Sequence, residues 1–143
     1  MRVRDVLLAK GRDVHAVTPD ESVQDVVSAL MAYRIGALLV IDREGITRGI
    51  VTERDVLREC VAGADRLHEI PVRAAMTADV VVGRLDDEIS EALATMTEHR
   101  IRHLPIMDAG RVAGLVSIGD LVKACLDETA SENGFLREYI HGR

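Results

Sequence analysis

The chain has 143 residues, 48% of them apolar, enough for one compact domain with a real core. Only Tyr33, Phe135 and Tyr139 are aromatic, so that core must be aliphatic. A formal net charge of −6 argues against general binding to nucleic acid or an anionic membrane, which require a positive surface, while leaving room for a local basic cleft.

Taken in order, Arg2 to Ala9 reads as a short lead-in helix, because Val3, Val6 and Leu7 recur at helical spacing, and Val72 to Met76 is its partner later in the chain. Asp13 to Val17 reads as a first strand. Thr18-Pro19-Asp20-Glu21-Ser22 then turns into a helix with Val23, Val26, Val27, Leu30 and Met31 on one face, capped by Ser22 with Asp25 three residues on. Tyr33-Arg34-Ile35-Gly36 ends it. Ala37 to Ile41 is an uninterrupted apolar run, as in a strand buried on both faces, and Thr47 to Val51 is its hairpin partner. Glu53 opens a helix bearing Val56, Leu57, Cys60 and Val61.

Gly63 to Pro71 reads as a polar link. A second pass follows: a strand over Ala78 to Gly83, a helix from Glu88 with Ile89, Ala92, Leu93 and Met96, and paired strands over His103 to Met107 and Arg111 to Val116. Pro105 lacks a ladder donor, which places it at a sheet edge or strand end. The last helix carries Leu121, Val122, Cys125 and Leu126. A further amphipathic segment with Phe135, Leu136, Tyr139 and Ile140 is too short to stand alone and must dock on its own domain or on a second subunit.

The two passes are copies. Gly49 and Gly114, Thr52 and Ser117, Asp55 and Asp120, and Cys60 and Cys125 are each separated by 65 residues. Upstream the offset is 66, as in Ile35 and Ile101 or Asp42 and Asp108, the one-residue change falling in the turns Asp42-Arg43-Glu44-Gly45 and Asp108-Ala109-Gly110. In both copies a strand ending in Gly-x-Val runs into a hydroxyl residue followed three positions later by aspartate. One such Ser/Thr-x-x-Asp reads as a helix cap; a duplicated one points to a shared use.

Other chemistry finds little support. His99 and His103 have metal-like spacing only if a helix continued where a strand begins, so zinc is not expected. His68 and His141 lie in polar segments and read as solvated. Gly114 to Gly119 superficially resembles a hydrolase nucleophile elbow, with one residue too many before Ser117 and no partner His and acid in order, so a small serine hydrolase is only a remote alternative. Walker and dinucleotide-binding glycine loops are absent, as is any run of membrane-span length or an apolar signal core before Lys10-Gly11-Arg12-Asp13. The chain reads as a soluble cytoplasmic protein, with Cys60 and Cys125 as buried free thiols on apolar helix faces.

The doubled pattern, Ile35-Gly36-Ala37-Leu38-Leu39-Val40-Ile41-Asp42 with Gly49-Ile50-Val51-Thr52-Glu53-Arg54-Asp55, and Arg100-Ile101-Arg102-His103-Leu104-Pro105-Ile106 with Gly114 to Asp120, resembles the tandem CBS-domain pair, or Bateman module, of stand-alone CBS proteins. The resemblance implies an α/β (α+β) fold of two pseudo-twofold-related β-α-β-β-α repeats, each a small three-stranded sheet on two helices. Residues 1–65 form repeat 1 with its lead-in helix, 66–126 repeat 2, and 127–143 a C-terminal helical tail.

It further implies a non-enzymatic sensor of adenosine nucleotides (AMP, ADP, ATP, NAD(H) or S-adenosylmethionine) that pairs as a homodimer through helices and acts on a partner protein. Thr52 with Asp55, and Ser117 with Asp120, would meet ribose and phosphate. The pocket served by Asp120 would draw on His15, Ile35, Gly36 and Ala37, and that served by Asp55 on Val81, Ile101 and Arg102. Arg102 and His103 match phosphate-contacting positions, whereas Gly36 and Ala37 carry no charge, so the two clefts are not expected to be equivalent. Arg54 and Lys10 rank behind, read first as solvated charges. The alternative is a structural dimerisation module whose acids serve only as caps.

Overall fold

A computed structural model describes residues 1–140, with side chains as far as residue 130. The elements are α1 (Val3–Lys10), β1 (Ala16–Val17), α2 (Val23–Tyr33), β2 (Ala37–Ile41), β3 (Thr47–Thr52), α3 (Glu53–Gly63), a 3₁₀ turn (Ala64–Glu69), α4 (Val72–Ala75), β4 (Gly83–Arg84), α5 (Ile89–His99), β5 (His103–Asp108), β6 (Arg111–Ser117) and α6 (Ile118–Ile140). They form two compact units: Asp13–Val80, and Met1–Arg12 together with the chain from Val81 onward.

Each unit holds a three-stranded sheet, β1-β2-β3 or β4-β5-β6, in which the short first strand runs parallel to the central strand and the third antiparallel to it. Both hairpins bulge at the same place, after Val40 and after Ile106. Helices α2 and α5 both stop on an arginine in the left-handed region, Arg34 at φ 56° and Arg100 at φ 54°. The hairpin turns differ as expected: Ala109 and Gly110 both take positive φ, which gives a tight two-residue turn, whereas the first turn is one residue longer and Asp42 Oδ1 accepts the Glu44 and Ile46 N–H groups.

The cores are aliphatic. In one unit Val17, Val23, Val26, Leu30, Leu38, Val40, Val51 and Val56 pack together with Leu67, Val72 and Ala75. In the other, Leu85, Ile89, Ala92, Met96, Leu104, Ile106, Val116 and Leu121 pack with Val3, Val6 and Leu7 of α1. The lead-in helix, grouped in sequence with repeat 1, therefore packs with repeat 2, and α4 with repeat 1. Val3 N–H donates to Asp87 C=O and Arg4 N–H to Leu85 C=O, which fixes that placement.

Several expectations need correction. Met31 is 76% exposed and Val27 only half-buried, so the buried stripe of α2 is narrower than its apolar residues suggest. The link at 63–71 is not wholly polar, since Leu67 is buried. The first strand shrinks to Ala16–Val17, and the strand expected over Ala78 to Gly83 forms instead at Gly83–Arg84.

Pro105 lies not at an edge but in the central strand, opposite Leu115. At the matching position of the other sheet, Leu39 N–H donates to His15 C=O across the β1 pairing. Proline has no such donor, so β4 starts only at Gly83, one register step later than β1. Cys60 and Cys125 are free but half-buried. The segment expected to dock separately is continuous with α6 in backbone; the side chains of Phe135, Leu136, Tyr139 and Ile140 and the whole of His141 lie outside the described residues. No helix among the described residues is long and apolar enough to cross a membrane.

Candidate functional site

In both units the third strand runs directly into a helix, and the two acids sit at its third residue. Thr52 and Ser117 are the N-caps. Asp55 N–H donates to Thr52 Oγ1 at 3.4 Å and Asp120 N–H to Ser117 Oγ at 3.1 Å, while Asp55 Oδ2 and Asp120 Oδ2 accept the cap residues' own N–H at 2.9 and 2.8 Å. The capping boxes read from sequence are thus formed, and they hold each carboxylate through one oxygen.

The other donors of each first turn are handled alike. Glu53 N–H donates to Gly36 C=O at 3.1 Å, and Ile118 N–H to Arg102 C=O at 2.8 Å. The N–H groups of Arg54 and Gly119 have no acceptor among the described residues, and with the positive end of the helix they can receive an anion.

The two acids differ in surroundings. Asp55 is 3% exposed; its Oδ1 takes the Arg58 guanidinium at 3.3 Å, and Thr52 Oγ1 lies 3.2 Å from Oδ2. Asp120 is half-buried. Its Oδ2 also accepts Lys10 Nζ at 2.6 Å, and Oδ1 accepts no hydrogen bond from a described residue. Burial pushes the Asp120 pKa up, but the Lys10 ammonium and the Ser117 N–H and hydroxyl outweigh it and hold the carboxyl below its ordinary value. Lys10 is therefore not a solvated surface charge: Nζ also donates to Leu115 C=O at 2.7 Å.

The remaining candidates divide between the units. Ala37 faces Thr52 across the β2–β3 ladder and follows half-buried Ile35 and Gly36; His15 stacks on Tyr33 with ring centroids 3.8 Å apart. In the other unit His103, half-buried, faces Ser117 across β5–β6, Ile101 and Val81 are half-buried, and Arg102 is exposed. Arg54 is exposed and makes no side-chain hydrogen bond with a described residue, as a solvated charge would. Sequence reasoning missed Arg58 altogether and the tie between Lys10 and Asp120; the i, i+3 spacing of Asp55 and Arg58 was an available signal. No cluster of metal-binding side chains occurs among the described residues.

The family model of the CBS domain matches residues 3–62 and again 72–127, which together span most of the chain. The chain belongs to the CBS-domain family. As a CBS pair it is similar to the crystal structure of the CBS-domain containing protein ATU1752 from Agrobacterium tumefaciens, at 40% identity and a TM-score of 0.84, over 87% of this chain and 98% of that one. The CBS domain-containing protein YhcV of Bacillus subtilis is 33% identical over 76% of each chain. The structure of CBSX2 in complex with AMP is similar at 28% identity and a TM-score of 0.69, over 81% of this chain and 90% of that one.

Proposed function

We propose that this CBS pair is a non-enzymatic regulatory module of the cytoplasm that binds an adenosine nucleotide, of the AMP, ATP or NAD(H) class, and conveys ligand state to a partner protein. The observation that carries this reading is the Asp120 carboxylate. Its capping box fixes it in position, Oδ1 is not engaged by any described residue, and a helix N-terminus with the Gly119 N–H stands beside it. A carboxylate so held can accept from ribose hydroxyls, and the amide and Ser117 hydroxyl can meet phosphate. The AMP complex of CBSX2 supports the same ligand class.

Thr52 and Asp55 are the equivalent pair, with Arg54 beside them. His15, Ile35, Gly36 and Ala37 in one unit, and Val81, Ile101, Arg102 and His103 in the other, are the residues we assign to base and phosphate contacts. Signalling requires that the nucleotide favour one arrangement of the module over another, since a ligand with equal affinity for both shifts nothing.

The test is calorimetric titration of AMP, ATP, NAD⁺ and NADH into wild type and into D55A and D120A. Binding that weakens at least tenfold in D120A supports the reading; no binding to wild type at millimolar nucleotide defeats it. The second reading, a dimerisation module without ligand, draws on Asp55, which is buried with both oxygens engaged, and on Leu57, Val61, Val122 and Leu126, exposed by 65, 90, 45 and 65%. A small hydrolase would need Ser117 for turnover, yet its oxygen caps α6.

A further inference from the structure

Lys10 ends α1, and its ammonium engages the acid assigned above to the ribose. Nζ donates to Asp120 Oδ2 at 2.6 Å and to the Leu115 carbonyl at 2.7 Å. The same Oδ2 accepts the Ser117 N–H at 2.8 Å. A carboxylate oxygen offers about two lone-pair sites, so these two donors fill it. A ribose diol donates one hydroxyl to each oxygen of a carboxylate and would find only Oδ1 open while Lys10 stays.

The arrangement is particular to Asp120. Leu7 packs on Gly114 as Met76 packs on Gly49, which aligns α1 with the α4 segment of the other unit. Three residues beyond Leu7 stands Lys10; three beyond Met76 stands Asp79, exposed and of opposite charge. Asp55 thus receives no cation from its own lead-in segment, and its partner Arg58 belongs to its own helix. Nor does α1 depend on the ammonium for its seat, since Val3, Val6 and Leu7 bury it and Gly11 N–H closes it on Leu7 C=O at 2.7 Å.

We propose that Lys10 is a tethered competitor for Asp120: it holds the acceptor that a ribosyl ligand needs, so that capture of the ligand and the Lys10–Asp120 bond exclude one another. The proposal rests on the nucleotide reading above. By linkage the ligand weakens the Lys10–Asp120 bond by the same factor by which that bond weakens the ligand.

The probe is adenosine, which has no phosphate to attract the displaced ammonium. Calorimetry on wild type, K10M and K10Q is expected to show adenosine bound about two- to fivefold more tightly by either variant, the range set by a partly exposed ion pair. The gain should vanish when D120A is compared with K10M/D120A. Equal or weaker binding by both Lys10 variants, with wild type still binding, overturns the competitor alone. No binding of adenosine or AMP to wild type overturns the nucleotide reading, and the competitor with it.

Discussion

Leu7 lies so close over Gly114 that a Cβ on the glycine would stand 2.7 Å from Leu7 Cδ2. In the other unit Met76 approaches Gly49 in the same way, but there the nearest obstacle is the Thr77 carbonyl at 2.6 Å. Each glycine lets a lead-in segment lie flat on the third strand. A buried leucine methyl can rotate aside at modest cost, whereas Thr77 C=O accepts the Ile50 N–H and cannot retreat without breaking that bond. Alanine at 114 should therefore cost about 1–2 kcal/mol and alanine at 49 about 2–3 kcal/mol, read from urea midpoints. Equal losses at the two sites would contradict this ordering.

Pro105 offers a cleaner substitution, because the other unit supplies its control. Leu39, the matching residue, donates its N–H to His15 C=O, and β1 begins one step earlier than β4. In P105L the new amide should be protected from hydrogen exchange and β4 should extend to Val82. The added hydrogen bond, about 0.5–1.5 kcal/mol, is offset by the greater freedom of the unfolded chain once proline is gone, so net stability should move by less than about 1 kcal/mol. An amide at 105 exchanging as fast as an exposed one would show that proline is not what delays the strand.

These sites also show which features are legible in the sequence. The caps at Thr52 and Ser117 depend on residues three apart, and both formed as the spacing indicated. The paired strands followed from apolar runs between turn residues. What escaped was long-range. The face of α1 was legible in Val3, Val6 and Leu7, but not the core it would join, because a short amphipathic stripe carries no address. Lys10 and Asp120 lie 110 residues apart, so nothing local could join them. Met31 continues the apolar spacing of α2 yet faces outward, since width of a stripe depends on what packs against it.

The ion pair at Asp120 gives stability a definite dependence on acid. Its folded pKa is held below the ordinary value of 3.8, so its contribution is fully present above that value and is lost as pH falls through the lower folded pKa. The stability gap between wild type and D120N should hold from pH 7 to pH 5 and close as pH falls below 4. Asp42, lowered first by the Ile46 N–H and also by Arg48, titrates in the same window and needs its own variant, D42N, as a control. A D120N gap that stays constant down to pH 2 would show that Lys10 and the Ser117 donors do not stabilise the carboxylate in the folded state.

Leu57 and Val61 on α3 have the same offset to Val122 and Leu126 on α6 as the acids have to each other, and all four are exposed. We predict that a second copy of the chain covers these duplicated apolar residues in an isologous contact. In such an isologous contact each residue is used twice, so a charge introduced at two positions is felt at four. L57E/V122E should weaken association by at least about a hundredfold, given roughly 1.5–3 kcal/mol per buried aliphatic side chain. The monomer should keep its fold, because both side chains point away from its cores. Light scattering and sedimentation at micromolar concentration decide it: wild type as dimer and the double variant as a folded monomer support the contact, and a monomeric wild type or an undisturbed dimeric variant rules it out.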